Sequence, residues 1–141
     1  MIPIIFRAKD KNTGEWVEGN YCCAEKLIGE GKEHFIIEIQ AKGSTHQVLQ
    51  ETVGQFTGLR DMNGVRAFEG DITEDGRGRR WVIFRAPGGF GTCRTAEYAH
   101  GNSLNFYEEL GGLQNNAWFM QNHKIVGNIH ENDLKEGQHH E

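Results

Sequence analysis

Glycine is the residue that most constrains how this chain can fold. It fills 19 of 141 positions, roughly twice the average share, whereas proline fills only two. Glycine lets the backbone adopt the positive φ values that tight turns require. Because such turns recur at short intervals, we expect short extended segments joined by reversals. The pattern favours a mainly β protein.

The segments between the turns support this prediction. Arg80–Ala86 is apolar on both faces at its centre, which predicts a strand buried on both sides. Asn63-Gly64 and Asp75-Gly76 are typical of type I′ hairpin turns. Helical spacing occurs in Leu104–Leu110, after a capping Ser103. Further strands are predicted at Ile2–Lys9, Glu15–Cys23, His34–Gln40, Gln47–Phe56, Trp118–Met120 and Lys124–Ile129.

Together these elements predict a small, highly curved or barrel-like antiparallel sheet with one short helix, and an SH3-like barrel is one form of it. With 37% hydrophobic and 25% charged residues, the composition is that of a globular protein. We predict one domain over residues 1–132, or two subdomains sharing a core with a break near 74–80, and a flexible tail over 133–141.

Location and redox state are also constrained by the sequence. No apolar run reaches the roughly 18 residues that a membrane-spanning helix needs, so we expect no membrane partner. The three cysteines, Cys22, Cys23 and Cys93, form no CxxC pair and are expected to be free thiols in a reducing compartment. We therefore predict a cytoplasmic protein.

The segment Val53–Ile72 concentrates turn signals and acidic residues. Gly58 is expected to let the chain reverse, and Asp61 to accept backbone N–H bonds around the Asn-Gly turn that follows. Gly70 is expected to provide a bulge or tight bend before Asp71. We interpret this segment as a device for folding.

Glu69 and Asp71 are two residues apart, so in a strand both carboxylates would point to one face. One hypothesis makes them the acid–base pair or cation site of a hydrolase. The favoured interpretation is that Asp71 bonds backbone amides at a corner and Glu69 is solvated, because no third ligand has useful spacing. The seven histidines show no zinc spacing, so we expect no metal or cofactor.

A basic stretch lies between Asp75 and Glu97, where no acidic residue occurs although the chain carries a net charge of −5. Trp81, Phe84 and Phe90 are interleaved with its arginines. One interpretation is an anion or nucleic-acid surface with an aromatic platform. The favoured one is that the arginines pair with glutamates elsewhere. The candidate residues are Arg77, Arg79, Arg80, Arg85 and Arg94.

Three blocks of the sequence resemble the YopX family of phage and prophage proteins. They are Phe6–Asp10, then Val53–Asp61 with Asn63-Gly64 and Phe68–Ile72, and finally Ile125–Asn132. Phe56 and His130 stand where the family usually has Tyr, and Asp133 where a Pro often follows. The motif residues singled out as structural are Gly54, Thr57, Gly58, Asp61, Asn63, Gly64, Glu69, Gly70, Asp71, Gly127 and Asn128.

The resemblance implies a mostly β protein with barrel-like curvature, phage origin and no assigned enzymatic activity or catalytic residue. We therefore expect a non-catalytic binding or accessory module in the bacterial host cell, acting on a phage or host macromolecule. Exposed strand edges need covering, so we also expect a homo-oligomer. The alternatives are a nucleic-acid-binding accessory protein using Arg77–Arg94 and a carboxylate-based hydrolase at Glu69 and Asp71.

Overall fold

Antiparallel strands dominate the computed structural model, which describes residues 4–39, 43–86, 89–101, 108–109 and 120–131. A short helix, α1 (Thr95–Ala99), follows the ninth strand. The prediction of a mainly β antiparallel fold with a short helix is confirmed. The strands are β1 (Phe6–Lys9), β2 (Trp16–Glu25), β3 (Lys32–Ile37), β4 (Thr45–Val48), β5 (Gly54–Arg60), β6 (Arg66–Phe68), β7 (Asp71–Glu74), β8 (Arg80–Ala86), β9 (Gly89–Arg94), β10 (Glu108–Glu109) and β11 (Lys124–Asn128).

The chain divides into two compact units, Met1–Phe56 and Thr57–Glu141. The division falls inside β5, whereas the sequence placed a break near 74–80, which is the hairpin loop between β7 and β8. Cross-strand pairing joins the two sides of that loop.

In the first unit the strand order is β4-β3-β2-β1-β5. The sheet bends enough for the end of β4 to reach the end of β1, where Leu49 N–H donates to the Lys9 carbonyl at 3.0 Å. An isolated bridge between Asp10 and Val48 completes this contact. Within the described residues this bridge does not extend into a ladder, so the sheet is barrel-like in its curvature without being a closed barrel.

The core of the first unit follows from strand alternation. Ala8 and Val17 are cross-strand partners, and both are buried together with Ile36 and Val48. Gly19 lies so close to β3 that a Cβ atom there would come within 2.1 Å of the Ile37 carbonyl oxygen. A side chain is therefore excluded at Gly19, where β2 begins to pair with the end of β3.

In the second unit the main sheet has the order β10-β9-β8-β7-β11. Val82, Ile83 and Phe84 in β8 are consecutive and all buried, which confirms the prediction of a strand covered on both faces. Ile83 packs in one cluster with Ala67, and Phe84 packs in another against the side chain of Tyr98.

Two element predictions in the C-terminal half are wrong. Glu108 and Glu109 form β10, paired with Thr92 and Gly91 of β9, instead of ending a helix. A helix of two turns has little stability without packing. In this structure Glu108 and Glu109 pair with β9 instead. Met120 is helical and not extended. The predicted Leu104–Tyr107, Trp118-Phe119 and the tail over 133–141 lie outside the described residues.

No helix in the described part of the chain is both long and apolar enough to cross a membrane.

Candidate functional site

The loop Asp61–Val65, between β5 and β6, is organised by a single carboxylate. Oδ1 of Asp61 accepts the backbone N–H groups of Asn63 at 2.8 Å and Val65 at 2.9 Å. Gly64, with φ +82°, donates its N–H to the Asp61 carbonyl at 3.0 Å. The loop is therefore wider than the predicted two-residue type I′ turn, because the aspartate side chain closes a five-residue loop.

The other oxygen of Asp61 reaches a distant strand. Oδ2 accepts the N–H of Ile125 in β11 at 2.8 Å, across 64 residues of sequence, and Asp61 is only 6% exposed. The N–H of Met62 also donates to the His123 carbonyl at 3.0 Å. Asp61 thus fixes both a turn and the start of β11.

The loop Asp75–Arg79 between β7 and β8 repeats this arrangement. Oδ1 of Asp75 accepts the N–H groups of Arg77 at 2.9 Å and Arg79 at 3.0 Å. The glycine with positive φ is Gly78, at +79°, and not Gly76 as the type I′ prediction required. Oδ2 accepts a bond from Arg79 Nε at 2.7 Å.

These contacts set the ionisation of Asp75. Burial by itself raises the pKa of this carboxyl group. The hydrogen bonds from the backbone of Arg77 and Arg79 and from the Arg79 side chain outweigh that effect and lower the pKa to about 2. Asp75 is therefore a stable anion that holds the loop.

The five candidate arginines are not gathered on one surface. Arg79 pairs with Asp75, and Nε of Arg80 lies 3.2 Å from Glu74. Arg80 and Trp81 are neighbours on β8, so their side chains point to opposite faces of the sheet. Arg94 covers the ring of Trp81 at 5.6 Å, and it is therefore on the face opposite to Arg80.

Arg85 and Arg94 remain exposed on a shared face. Arg85 lies 5.0 Å from the centre of the Phe90 ring, its cross-strand partner. Trp81 and Arg85 are four residues apart, so the two cation–aromatic pairs are roughly 13 Å apart at about 3.3 Å per residue. Arg77 is exposed in the β7–β8 loop.

Glu69 and Asp71 do not have similar surroundings. Asp71 is 1% exposed, and its Oδ2 accepts the N–H of Phe68 at 2.7 Å. Between them Gly70 has φ +96° and accepts the Ile129 N–H at 2.9 Å. Asp71 therefore supports the corner before β7, while Glu69 is partly exposed.

The remaining motif residues also shape the backbone or form hydrogen bonds with it. Gly58 has φ +89° but lies inside β5, so the expected reversal there is wrong, and the chain turns after Arg60. Thr57 Oγ1 donates to the Ala67 carbonyl at 2.9 Å. Gly127 follows a bulge in β11, and Asn128 Oδ1 accepts the His130 N–H at 2.9 Å. Gly54 is buried where β5 pairs with β1.

Sequence reasoning missed the polar groups of the first unit. Nδ1 of His46 lies 2.8 Å from Asp10 Oδ2, and its Nε2 lies 3.3 Å from Glu38 Oε2. The second contact is not aligned as a hydrogen bond. The bond to Asp10 raises the pKa of His46 against the opposing effect of burial. The described residues contain no group of three or more His, Cys, Asp or Glu side chains able to hold a metal.

A second missed feature is the hairpin formed by β2 and β3. Its tip exposes two large aliphatic side chains, Leu27 at 100% and Ile28 at 90%. Cys22 and Cys23 on its β2 strand are exposed free thiols. We call residues Glu25–Glu33 the hairpin tip. In the sequence these residues resembled an ordinary polar loop because glycine, glutamate and lysine surround the aliphatic pair.

The two units thus define a mainly β protein in which the signature residues hold turns and corners. A family model described as YopX protein matches residues 5–135. The chain therefore belongs to the YopX family. A solved structure, described as the crystal structure of protein EF1440 from Enterococcus faecalis, is 25% identical. That similarity covers 93% of this chain and 96% of the other, with a TM-score of 0.49. No curated protein matches the sequence.

Proposed function

We propose that this chain is a non-catalytic accessory module of phage or prophage origin that binds another protein through the hairpin tip. The observation that supports this proposal is the exposure of Leu27 and Ile28, at 100% and 90%. Single exposed apolar residues are common on protein surfaces, but two adjacent aliphatic side chains at the end of a hairpin are presented to a partner. A partner cleft would remove their apolar surface from water.

The charges around the tip favour a protein over other partners. Glu25, Glu30 and Glu33 outnumber Lys26 and Lys32 there, so the segment carries a net charge of −1. Nucleic acid and anionic lipid both attract basic segments and repel acidic ones. A protein cleft with an apolar floor and a mixed polar rim matches this composition.

The non-catalytic part of the proposal is supported by the use of the acidic signature residues. Asp61 and Asp71 are both nearly inaccessible, and each accepts backbone N–H groups. Carboxylates committed in this way hold the chain and are not oriented toward a substrate. The observation favours a scaffold for binding over the hydrolase alternative.

The experiment compares wild type with the double variant Leu27→Ser/Ile28→Ser. Proteins captured from lysogenic cells by the wild type alone are purified, and their affinity for both chains is measured by calorimetry. Removing two buried aliphatic side chains from an interface centre is expected to weaken binding by about a hundredfold or more. Ile39→Ser, at a 62% exposed position beyond β3, is the matched control and should bind like the wild type.

A captured protein that binds the double variant as tightly as the wild type refutes the proposal. Flotation with anionic vesicles tests the lipid alternative, and vesicle binding that depends on Leu27 and Ile28 would replace the protein partner with a membrane. Light scattering on the isolated chain tests self-association. We propose a homo-oligomer, so a single species of 16.0 kDa would contradict that part.

One observation favours a second candidate function. Arg85 and Arg94 are exposed on one face, and each lies over an aromatic ring, an arrangement that can contact phosphates and bases. We propose nucleic-acid binding at this face as the alternative. Fluorescence anisotropy with single-stranded oligonucleotides at low salt tests it, and binding that is unchanged in Arg85→Gln/Arg94→Gln excludes it.

A further inference from the structure

A cavity of about 160 Å³ opens in the first unit at the base of the hairpin tip. Three lysines line it: Lys11 in the turn after β1, and Lys26 and Lys32 in the hairpin tip. Gln47 of β4 contributes to the same wall. Ligand pockets for drug-sized molecules usually measure about 300–1,000 Å³, so this cavity suits a smaller ligand.

The ammonium groups of these three lysines form no ion pair with any described residue. By contrast, Lys124 in the second unit pairs with Glu74, and Arg79 pairs with Asp75. The chain carries 20 acidic residues against 15 Lys and Arg. In such an acidic protein, three cations without a carboxylate partner around one cavity favour an anionic ligand.

Two carboxylates in the cavity wall limit the charge of that ligand. Glu33 Oε2 accepts a hydrogen bond from Gln47 Nε2 at 2.9 Å, so this oxygen is already engaged. Glu51 also lines the cavity and repels an anion. With three lysines against these two, the wall retains a net charge of +1, which one small anion can neutralise.

His34 also lines the cavity and can supply a directional donor through a ring nitrogen. The hydroxyl of Tyr21 lies 2.6 Å from His34 Nδ1, and the two rings are stacked with centroids 5.9 Å apart. Burial raises the pKa of Tyr21, so its hydroxyl keeps its proton. When Tyr21 donates to Nδ1, the neutral imidazole carries its proton on Nε2. Among the described residues Nε2 has no hydrogen-bond partner, and it is available to a ligand.

We propose that this cavity binds the phosphate group of a small molecule, either free phosphate or a short phosphomonoester. Three ammonium groups and one imidazole N–H can bond to an anion that has three or more acceptor oxygens, as a phosphate group does. A carboxylate has only two oxygens. The site goes beyond the protein-binding function proposed above, because it requires no partner protein.

The isolated chain is titrated with sodium phosphate and with glycerol phosphate at constant ionic strength, and amide shifts are followed by NMR. Saturable shifts are expected at Lys11, Lys26, Lys32 and His34. Lys26→Gln/Lys32→Gln should weaken binding at least about tenfold, since charged hydrogen bonds are lost. Glu51→Gln should tighten it. Arg77→Gln removes one positive charge in the other unit and should leave the affinity unchanged.

Saturation by both ligands identifies the phosphate group itself as the recognised part, and saturation by the ester alone identifies a phosphomonoester. The proposal is refuted by linear shifts without saturation, by shifts outside the cavity, or by tighter binding of acetate or citrate. Equal affinity in the lysine double variant also refutes it. Leu27→Ser/Ile28→Ser should bind phosphate like the wild type, which separates this test from that of the partner protein. Even if a variant misfolds, the NMR shifts of the wild-type chain still test whether phosphate binds at the cavity.

Discussion

The loops Asp61–Val65 and Asp75–Arg79 use the same turn chemistry and differ in what the second carboxylate oxygen binds. In each, Oδ1 accepts two backbone N–H groups, two and four residues later. In each, a glycine three residues after the aspartate has φ near +80°. Oδ2 of Asp61 holds β11, whereas Oδ2 of Asp75 holds the side chain of Arg79 in its own loop.

The difference shows that the same aspartate-stabilised turn has two different roles in this protein. Asp75 stabilises a hairpin that its own sequence already encodes, and its ion pair with Arg79 is partly exposed to solvent. Asp61 makes the additional bond that positions a strand 64 residues later. The YopX signature contains Asp61 and not Asp75, so the resemblance marks the loop with the long-range tie.

The largest expected effect comes from Asp61→Asn compared with Asp75→Asn. An amide keeps one acceptor oxygen for the turn but presents NH₂ where Oδ2 was. At Asp61 the Ile125 N–H then loses its acceptor, which should lower the free energy of unfolding by about 2–3 kcal/mol. At Asp75 the lost acceptor served the Arg79 guanidinium and, at 3.5 Å, the Trp81 indole N–H. Because the Arg79 side chain is 46% exposed and can bond to water instead, we expect a smaller loss of about 1 kcal/mol. Urea denaturation measures both, and equal losses would contradict the distinction.

Gly64→Ala and Gly78→Ala test the part that the loops share. A Cβ atom at either position would meet nothing within 4 Å, so the only penalty is the positive φ. We expect both variants to lose about 1 kcal/mol of stability, and by the same amount within error. Gly76→Ala, in a glycine without positive φ, is the control and should change stability little. A much larger loss at Gly64 would show that the loops differ in their backbone as well.

The dependence of stability on acid pH should also distinguish the two loops. The pKa of Asp75 is lowered from 3.8 to about 2, so its ionised form stabilises the fold above pH 4 and this contribution is lost as the pH falls toward 2. The stability difference between wild type and Asp75→Asn should therefore shrink over that range. Urea denaturation at a series of pH values measures it. A difference that stays constant down to pH 2 would show that the hydrogen bonds do not depend on the charge.

The sequence predicted the local turn hydrogen bonds of Asp61 but not its bond to a distant strand. Turn chemistry identified Asp61 as a backbone acceptor because its partners lie within four residues. It could not identify Ile125, since no local pattern encodes a contact between residues so far apart. The error at Gly76 has a similar origin: the Asp-Gly pair is a valid hairpin signal, but the aspartate side chain selects a longer loop and moves the positive φ to Gly78.

The same limit, that a sequence pattern reports only local contacts, applies to the candidate binding sites. Of the five arginines close together in sequence, two lie in the loop between β7 and β8. The other three lie on opposite faces of a sheet, because neighbours on a strand alternate. By contrast, Lys11 lines one cavity with Lys26 and Lys32, because the turn after β1 approaches the β2–β3 hairpin there. The mainly β fold and the buried β8 could be predicted, since periodicity and turn residues are local properties.

The smallest expected effect concerns a third loop, where Asp10 Oδ1 accepts the N–H groups of Asn12 at 2.8 Å and Thr13 at 3.1 Å. Its Oδ2 binds His46, a titratable partner that neither of the other loops has. This bond lowers the pKa of Asp10, and the same bond raises the pKa of His46 above 6.5. The histidine's contribution is therefore complete below pH 6.5 and is lost as the pH rises through the folded-state pKa, whereas the aspartate's is present above pH 3.8 and lost in acid.

His46→Gln should consequently flatten the dependence of stability on pH above 6.5, and it should also weaken the part of the acid dependence that comes from Asp10. Thermal unfolding between pH 6 and 9 measures this, with His100→Gln, at an exposed position after α1, as the control. If the wild type and His46→Gln lose stability in parallel over this range, the imidazolium does not hold Asp10. The turn would then rest on the two backbone bonds alone, as the loop of Asp75 does once its ion pair is removed.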